Sequence, residues 1–324
     1  MNNASSELDL QDFHPDRAAM MKDVMAGLTD SPKWLSSMYF YDERGSQLFD
    51  EICELPEYYP TRTEIQIVED NIHEISDLLG PHAMLIEPGA GSAVKIRILL
   101  ENMDDPAAYV PVEISREHLM ASAEKLAEAF PGIEILPVCA DFTSDFDLPE
   151  PSQPALRNIV YFPGSTIGNF DPEDAIDLLK VMHKLAGDGG AVLLGVDLEK
   201  DRDILVRAYN DATGVTAKFN LNVLDRLNRE LGADFDRDAF RHEAVWNESR
   251  HRIEMHLFSE REQDVHIGGK TLHFDKGESI HTESSYKYTL DRFAKLAAQA
   301  GFTVEKAWTD ARDMFSVQYL RPSD

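Results

Sequence analysis

Between residues 64 and 199 this sequence alternates short apolar runs with helical patterns, and few folds accommodate that alternation. Strands are predicted at 83–87, 109–114, 134–139, 158–162 and 191–196, with helices at 116–130 and 172–185 between them. Strands that alternate with helices build a parallel sheet, because consecutive parallel strands need a crossover rather than a tight turn. The helix from 172 has a marked start: Asp171 at the N-cap, Pro172 at the first helical position, and Glu173 and Asp174 beside the positive helix end. After 199 the pattern breaks. Residues 200–232 read as helical without a strand, and 240–285 carry short runs at 244–246, 252–258, 264–268, 271–274 and 278–285, expected as an antiparallel meander. A helix over 290–300, stopped by Gly301, and closing strands at 303–308 and 315–320 return the chain to the first pattern. Two domains are therefore expected, one from 1–63 and 200–285, the other from 64–199 and 286–324.

The first predicted strand runs into Glu87-Pro88-Gly89-Ala90-Gly91-Ser92, and a helix is expected to begin after Ser92. Glycines at such a turn let the backbone approach a ligand. A dinucleotide loop would place a third glycine at 94, where Val94 stands. An acid at Glu87 is unusual for a nicotinamide site; methyltransferases commonly place one there, near the cationic amino acid end of their cofactor. A lone G-x-G also occurs at ordinary strand-to-helix turns. The following strands add weight. Glu113 follows Gly89 by 24 residues, near the spacing of an acid that accepts from both hydroxyls of a ribose. Asp141 and Phe142 close the third strand, an acid for an exocyclic amine and a ring for an adenine face. Each acid alone reads equally as a solvated strand end or a cap. Together they mark the carboxyl edge, where open α/β sheets bind ligands. The fourth strand ends in Pro163-Gly164-Ser165-Thr166-Ile167-Gly168-Asn169-Phe170, without the Asn/Asp-Pro-Pro-aromatic loop of many nucleobase amino-methyltransferases. Asn169 offers a donor and an acceptor there, though turn chemistry also explains it.

Composition limits the partners. The formal net charge is -28, so a nucleic-acid or anionic membrane surface is not expected. The first residues lack the basic and apolar blocks of a signal peptide, and no apolar run approaches the roughly 20 residues of a membrane span. Cys53 and Cys139 are too few for a disulfide framework and fit a reducing cytoplasm. Residues 1 to about 15 read as frayed and acidic, followed by a helix near 16–28. The segment 34–59 is dense in aromatics, including Tyr39, Phe40, Tyr41, Phe49, Tyr58 and Tyr59. It reads either as a packed arm over a neighbouring domain or as a source of pocket tyrosines. Six histidines fall between 242 and 281, without helix-face pairing or accompanying cysteine; no metal site is expected.

Longer blocks carry a more specific signal. Phe40-Tyr41-Asp42-Glu43-Arg44-Gly45-Ser46, Leu55-Pro56-Glu57-Tyr58-Tyr59-Pro60-Thr61-Arg62, Gly164-Ser165-Thr166-Ile167-Gly168-Asn169, Gly214-Val215-Thr216-Ala217, Arg252-Ile253-Glu254-Met255 and Thr282-Glu283-Ser284-Ser285 resemble the histidine-specific Nα-methyltransferases of ergothioneine biosynthesis. The likeness covers nearly the whole chain after residue 30. It implies a Rossmann-like α/β domain that binds S-adenosylmethionine, with a second α+β domain, built from the N-terminal arm and an insertion, that binds L-histidine. It implies a cofactor region containing Tyr41, Gly89, Lys95, Glu113, Asp141 and Phe142, to which the reading of the loop adds Glu87 and Gly91. It further implies a histidine pocket of Tyr58, Gly164, Asn169, Tyr209, Met255, Glu283 and Ser285. In this pattern Asn169 and Tyr209 hold the amino acid end, Glu283 and Ser285 bind the imidazole, and Tyr58 reaches its other nitrogen. Tyr41 and Asn169 are the candidates for orienting the reacting amine. The sequence departs from the pattern at Glu113, where relatives often have Asp, and at Pro88 inside the loop.

Residue spacing is compatible with these roles. Glu283 and Ser285 lie two apart on a predicted strand and share a face. By spacing alone they read as a solvated acid and hydroxyl; with the resemblance they read as a grip on one small polar ring. The implied activity is methylation of the α-amine of L-histidine, three times, to hercynine, by a cytoplasmic monomer. The alternatives are a related methyltransferase for another amino acid or imidazole compound, and a non-catalytic S-adenosylmethionine-binding protein.

Overall fold

A computed structural model describes residues 10–12, 17–91, 93–144 and 146–323. Most of the frayed stretch expected at 1–15 lies outside these residues, as does Ser92. The strands, in chain order, are β1 (Gln11–Asp12), β2 (Lys33–Trp34), β3 (Ala83–Pro88), β4 (Ala108–Glu113), β5 (Glu134–Ile135), β6 (Val138–Cys139), β7 (Arg157–Phe162) and β8 (Ala191–Asp197). They continue with β9 (Phe240–Asn247), β10 (Arg252–Ser259), β11 (Gln263–Ile267), β12 (Lys270–Phe274), β13 (Ser279–Tyr286), β14 (Phe302–Thr309) and β15 (Phe315–Pro322).

The main sheet has the order β1-β6-β4-β3-β7-β8-β15-β14, with β5 beside β4. Its strands are parallel from β1 through β8, and the last two reverse: β15 is antiparallel to β8 and β14 to β15. Every residue of β3 and β8 is buried, as expected of strands covered on both faces. From β3 the chain builds outward through β4 and β6, then returns to place β7 on the other side. The order therefore switches between β3 and β7, the place where open α/β sheets hold ligands.

Two local expectations need correction. The strand expected over 134–139 is split into β5 and β6, because Pro137 has no N–H to give to a ladder. Asp171 does occupy the N-cap of the helix Pro172–Ala186, but its side chain makes no capping hydrogen bond. Its Oδ1 instead accepts from Arg252 Nη1 at 2.8 Å and from the Tyr286 hydroxyl at 2.9 Å. A charged donor from a neighbouring sheet competes successfully with the local backbone.

The meander forms a second sheet, β2-β13-β10-β9, plus the hairpin β11-β12. Against it pack the helices Arg17–Thr29, Arg202–Tyr209 and Val215–Leu231, and the aromatic segment, with Tyr39, Phe40, Tyr58 and Tyr59 buried in one apolar core. The chain leaves the main sheet after β8 and returns after β13. There the two crossing segments touch: Leu198 bridges Tyr288, and the Tyr288 N–H donates to the Asp197 carbonyl at 3.0 Å.

Candidate functional site

A continuous cleft of about 1620 Å³ opens at the carboxyl ends of β3, β4, β6 and β7 and extends against β13. It exceeds the usual pocket of one small molecule. Glu87, Gly89, Gly91, Lys95, Glu113, Asp141 and Phe142 line one part of it, and Tyr41, Tyr58, Gly164, Asn169 and Glu283 line it as well. The switch point of the sheet thus gathers residues that are far apart in sequence.

On the sheet side, Glu87 is 3% exposed and accepts a short hydrogen bond from the Tyr109 phenol. Burial pushes its carboxyl up to about 7. Glu113 Oε1 accepts from the backbone N–H of Ile114 at 2.8 Å and of Ser115 at 3.0 Å. These bonds favour the charged form, but burial outweighs them and raises this carboxyl to about 7 as well. Asp141 Oδ1 accepts from the Thr143 N–H at 2.9 Å and its hydroxyl at 2.7 Å. Phe142 meets Phe162 edge-on, with ring centroids 5.7 Å apart. Gly89 has φ +71, and a Cβ there would lie 3.3 Å from the Phe142 ring, so both conformation and space call for glycine. At Gly91 an added Cβ would meet nothing within 4 Å; its requirement is not set by the protein's own packing.

This donor set suits S-adenosylmethionine. Among the described residues no Lys or Arg hydrogen-bonds to Glu87 or Glu113, so a buried and a half-buried carboxyl face the cleft without a hydrogen-bonded cation. A ligand bearing an ammonium, a sulfonium and a ribose diol supplies what they lack.

The charge of Lys95 acts on Glu87, but its ammonium is bonded elsewhere. Its ammonium donates to Glu64 Oε2 at 2.7 Å, and Glu64 is 1% exposed. The Gly164 N–H donates to the same carboxylate, 2.9 and 3.0 Å from its two oxygens. Sequence reasoning missed Glu64, since an acid in the first half of a helix ordinarily reads as solvent-facing.

On the other side, Asn169, Tyr41 and Tyr58 present polar side chains to the cleft without a hydrogen-bond partner among the described residues. The ring of Tyr58 stands 6.2 Å from those of Phe49 and Tyr209, and Tyr41 lies edge-on to Phe49 at 5.7 Å and Phe219 at 5.8 Å. Both readings of the aromatic segment thus hold: it forms a packed arm, and two of its tyrosines reach the cleft. Burial pushes the phenols of Tyr41 and Tyr58 well above their ordinary range, so both stay protonated.

The position of Glu283 depends on a β-bulge. Met255 pairs with Glu283 and His256 with His281, leaving Thr282 as an extra residue. Strict alternation from buried Ile280 would turn Glu283 away. The bulge instead puts Ile280, Glu283 and Ser285 on one face, opposite Leu257, Met255 and Ile253. The Thr282 hydroxyl fixes it by donating to Asn220 Oδ1 at 2.8 Å. Glu283 faces the cleft with no hydrogen-bond donor among the described residues, and burial raises its carboxyl to about 7.

Tyr209, Met255 and Ser285 are only 7%, 2% and 3% exposed and stand behind the lining. Met255 belongs to the apolar core of the second sheet. Tyr209 and Ser285 share a hydrogen bond of 2.7 Å, and Lys287 donates to both.

A family model described as histidine-specific methyltransferase, SAM-dependent, matches residues 20–322. The chain belongs to this family. It is 42% identical to a histidine N-alpha-methyltransferase of Mycolicibacterium smegmatis over 92% of this chain and 94% of that one. It is 40% identical to the protein of the same name from Mycobacterium tuberculosis, over 92% and 94%. An S-adenosylmethionine-dependent methyltransferase structure from Clostridium acetobutylicum aligns with TM-score 0.51 and 11% identity over 86% of this chain and 99% of that one, a likeness of fold alone. The histidine-specific methyltransferase family thus supplies a cofactor class that agrees with the acids at the ends of β3 and β4, neither of which is hydrogen-bonded by a Lys or Arg among the described residues.

Proposed function

We propose that this chain methylates the α-amino nitrogen of L-histidine, in three successive transfers giving hercynine. The observation that carries this reading is Glu283: a half-buried carboxyl without a protein donor among the described residues, turned into the cleft by a bulge, beside a binding edge suited to S-adenosylmethionine. A carboxylate in that position rewards a ring N–H. A side chain without one leaves it buried and unpaired, which discriminates more sharply than shape does.

S-adenosylmethionine, when bound, supplies a methyl group already activated by a positive sulfur. The chain's own work is therefore proximity and alignment. In this reading Glu87 faces the amino acid end of the cofactor, Glu113 its ribose, and Asp141 and Phe142 its adenine, with Gly89 and Gly91 giving the backbone access. Glu64 fixes Lys95 and the Gly164 N–H, and so holds the loop after β7 that carries Asn169. Asn169 and Tyr209 take the substrate's amino acid end. Glu283 and Ser285 take its imidazole, with Tyr58 at the other nitrogen. Met255 contributes by packing under Glu283. Tyr41 and Asn169 orient the amine, which attacks in its neutral form. Tyr41 acts as a neutral phenol, since its burial opposes ionisation. We assign the substrate-binding domain to 1–63 with 200–285 and the cofactor domain to 64–199 with 286–324.

The test is Glu283→Ala. It is expected to lower kcat/KM for histidine by about 100-fold or more while S-adenosylhomocysteine binds as before, measured by steady-state kinetics and calorimetry. An unchanged kcat/KM would remove Glu283 from the pocket.

A further inference from the structure

Where the two sheets meet lies a charged cluster that the reading above leaves unused. Lys287 follows β13 and is fully buried. Its ammonium has three protons, and each has an acceptor. One goes to Asp197 Oδ2 at 2.7 Å, one to Ser285 Oγ at 2.7 Å and one to the Tyr209 hydroxyl at 3.0 Å. Asp197 closes β8 and is itself buried. It is further held by Lys200 at 2.5 Å and by the Tyr59 phenol at 2.7 and 2.9 Å. Burial opposes a charge on either partner, and the close counter-ion reverses this, keeping Asp197 ionised and Lys287 protonated.

The two hydroxyls can be counted. Tyr209 and Ser285 bring two protons, and one is spent on their mutual bond of 2.7 Å. Lys287 occupies a lone pair on each oxygen. The second hydroxyl proton has no protein acceptor among the described residues. Whichever oxygen keeps it, the pair has one donor to offer. Ser285 lies on the same face of β13 as Glu283, and the Tyr209 ring neighbours that of Tyr58; both of those neighbours line the cleft.

We propose that Lys287, with Asp197 as its counter-ion, is a positioning residue that turns the Ser285–Tyr209 hydroxyl pair into a hydrogen-bond donor toward the bound amino acid. Without the ammonium, both oxygens regain free lone pairs, and the pair can rotate to accept instead. The donor beside the Glu283 acceptor matches a bound amino acid whose carboxylate accepts at the end that Tyr209 takes, while Glu283 takes the ring N–H. This inference rests on the histidine reading above and adds the group that sets the polarity of the pocket.

Because Lys287→Met leaves the Asp197 charge to Lys200 alone, it is to be compared with Lys287→Met/Asp197→Asn/Lys200→Met, in which every charge of the cluster is gone. The measurements are KM and kcat for histidine, S-adenosylhomocysteine affinity and Tm, with the unaltered enzyme in parallel. Both variants are expected to raise KM for histidine by about 10-fold, with kcat and S-adenosylhomocysteine affinity much less affected, while the triple variant recovers Tm. If the triple variant recovers the histidine KM along with Tm, or if KM never rises, Lys287 only balances the charge of the cluster and the inference is overturned. If the unaltered enzyme does not turn over histidine at all, the reading beneath it falls as well.

Discussion

At the scale of single residues, Glu283 ties function to stability. Its carboxyl titrates near 7 in the folded protein, against an ordinary 4.5, chiefly because it is buried. An acid whose folded pKa is raised contributes stability that is present below about pH 4.5 and is lost as pH rises through 7. Glu283→Gln removes that loss. The variant and the unaltered, ligand-free protein are expected to melt alike near pH 5, relative to any constant offset. By pH 8 the variant should gain up to about 3 kcal/mol, while its histidine turnover falls. Thermal melts at both pH values check this, and a Tm difference independent of pH would contradict it. Glu283 itself was legible only as part of a longer block, since an acid two residues from a serine on a strand has many ordinary explanations. Lys287 was not legible at all. A lysine just past a strand reads as solvent-facing, and its counter-ion lies 90 residues earlier, at the end of another sheet.

At the scale of elements, the alternation of strands and helices was legible because it follows from period and turn chemistry alone. What escaped depended on contacts between elements. Pro137 splits a strand whose composition reads as continuous. Asp171 gives up its capping role to Arg252, a residue of the other sheet. The Thr282 bulge changes which face Glu283 shares with Ile280, although the parity of Glu283 and Ser285 survives because both follow it. The helix Tyr59–Asp70 is likewise bound to the loop after β7 through Glu64. Glu64→Ala strands Lys95 and frees the Gly164 N–H. It is expected to destabilise the protein by about 3 kcal/mol and to weaken S-adenosylhomocysteine binding, read by denaturant unfolding and calorimetry. Full retention of both would show that the loop is held by other contacts.

At the scale of the whole molecule, two sheets share one cleft. The main sheet brings acids to its carboxyl edge at the switch between β3 and β7, and the second sheet brings Glu283 across from them. No helix among the described residues is long and apolar enough to cross a membrane. The departure of the chain from the main sheet and its return were visible as a broken pattern near 200 and 286. The convergence of Tyr58, Asn169 and Glu283 was visible only through the resemblance, since three separate segments supply them and no spacing links them. The central claim concerns what enters that cleft. Incubating the protein with isotopically labelled S-adenosylmethionine and a panel of amino acids, read by mass spectrometry, tests it directly. The account expects label on histidine alone, progressing through mono- and dimethyl to the trimethylated product. Label on another amino acid in place of histidine, or on none, would contradict it.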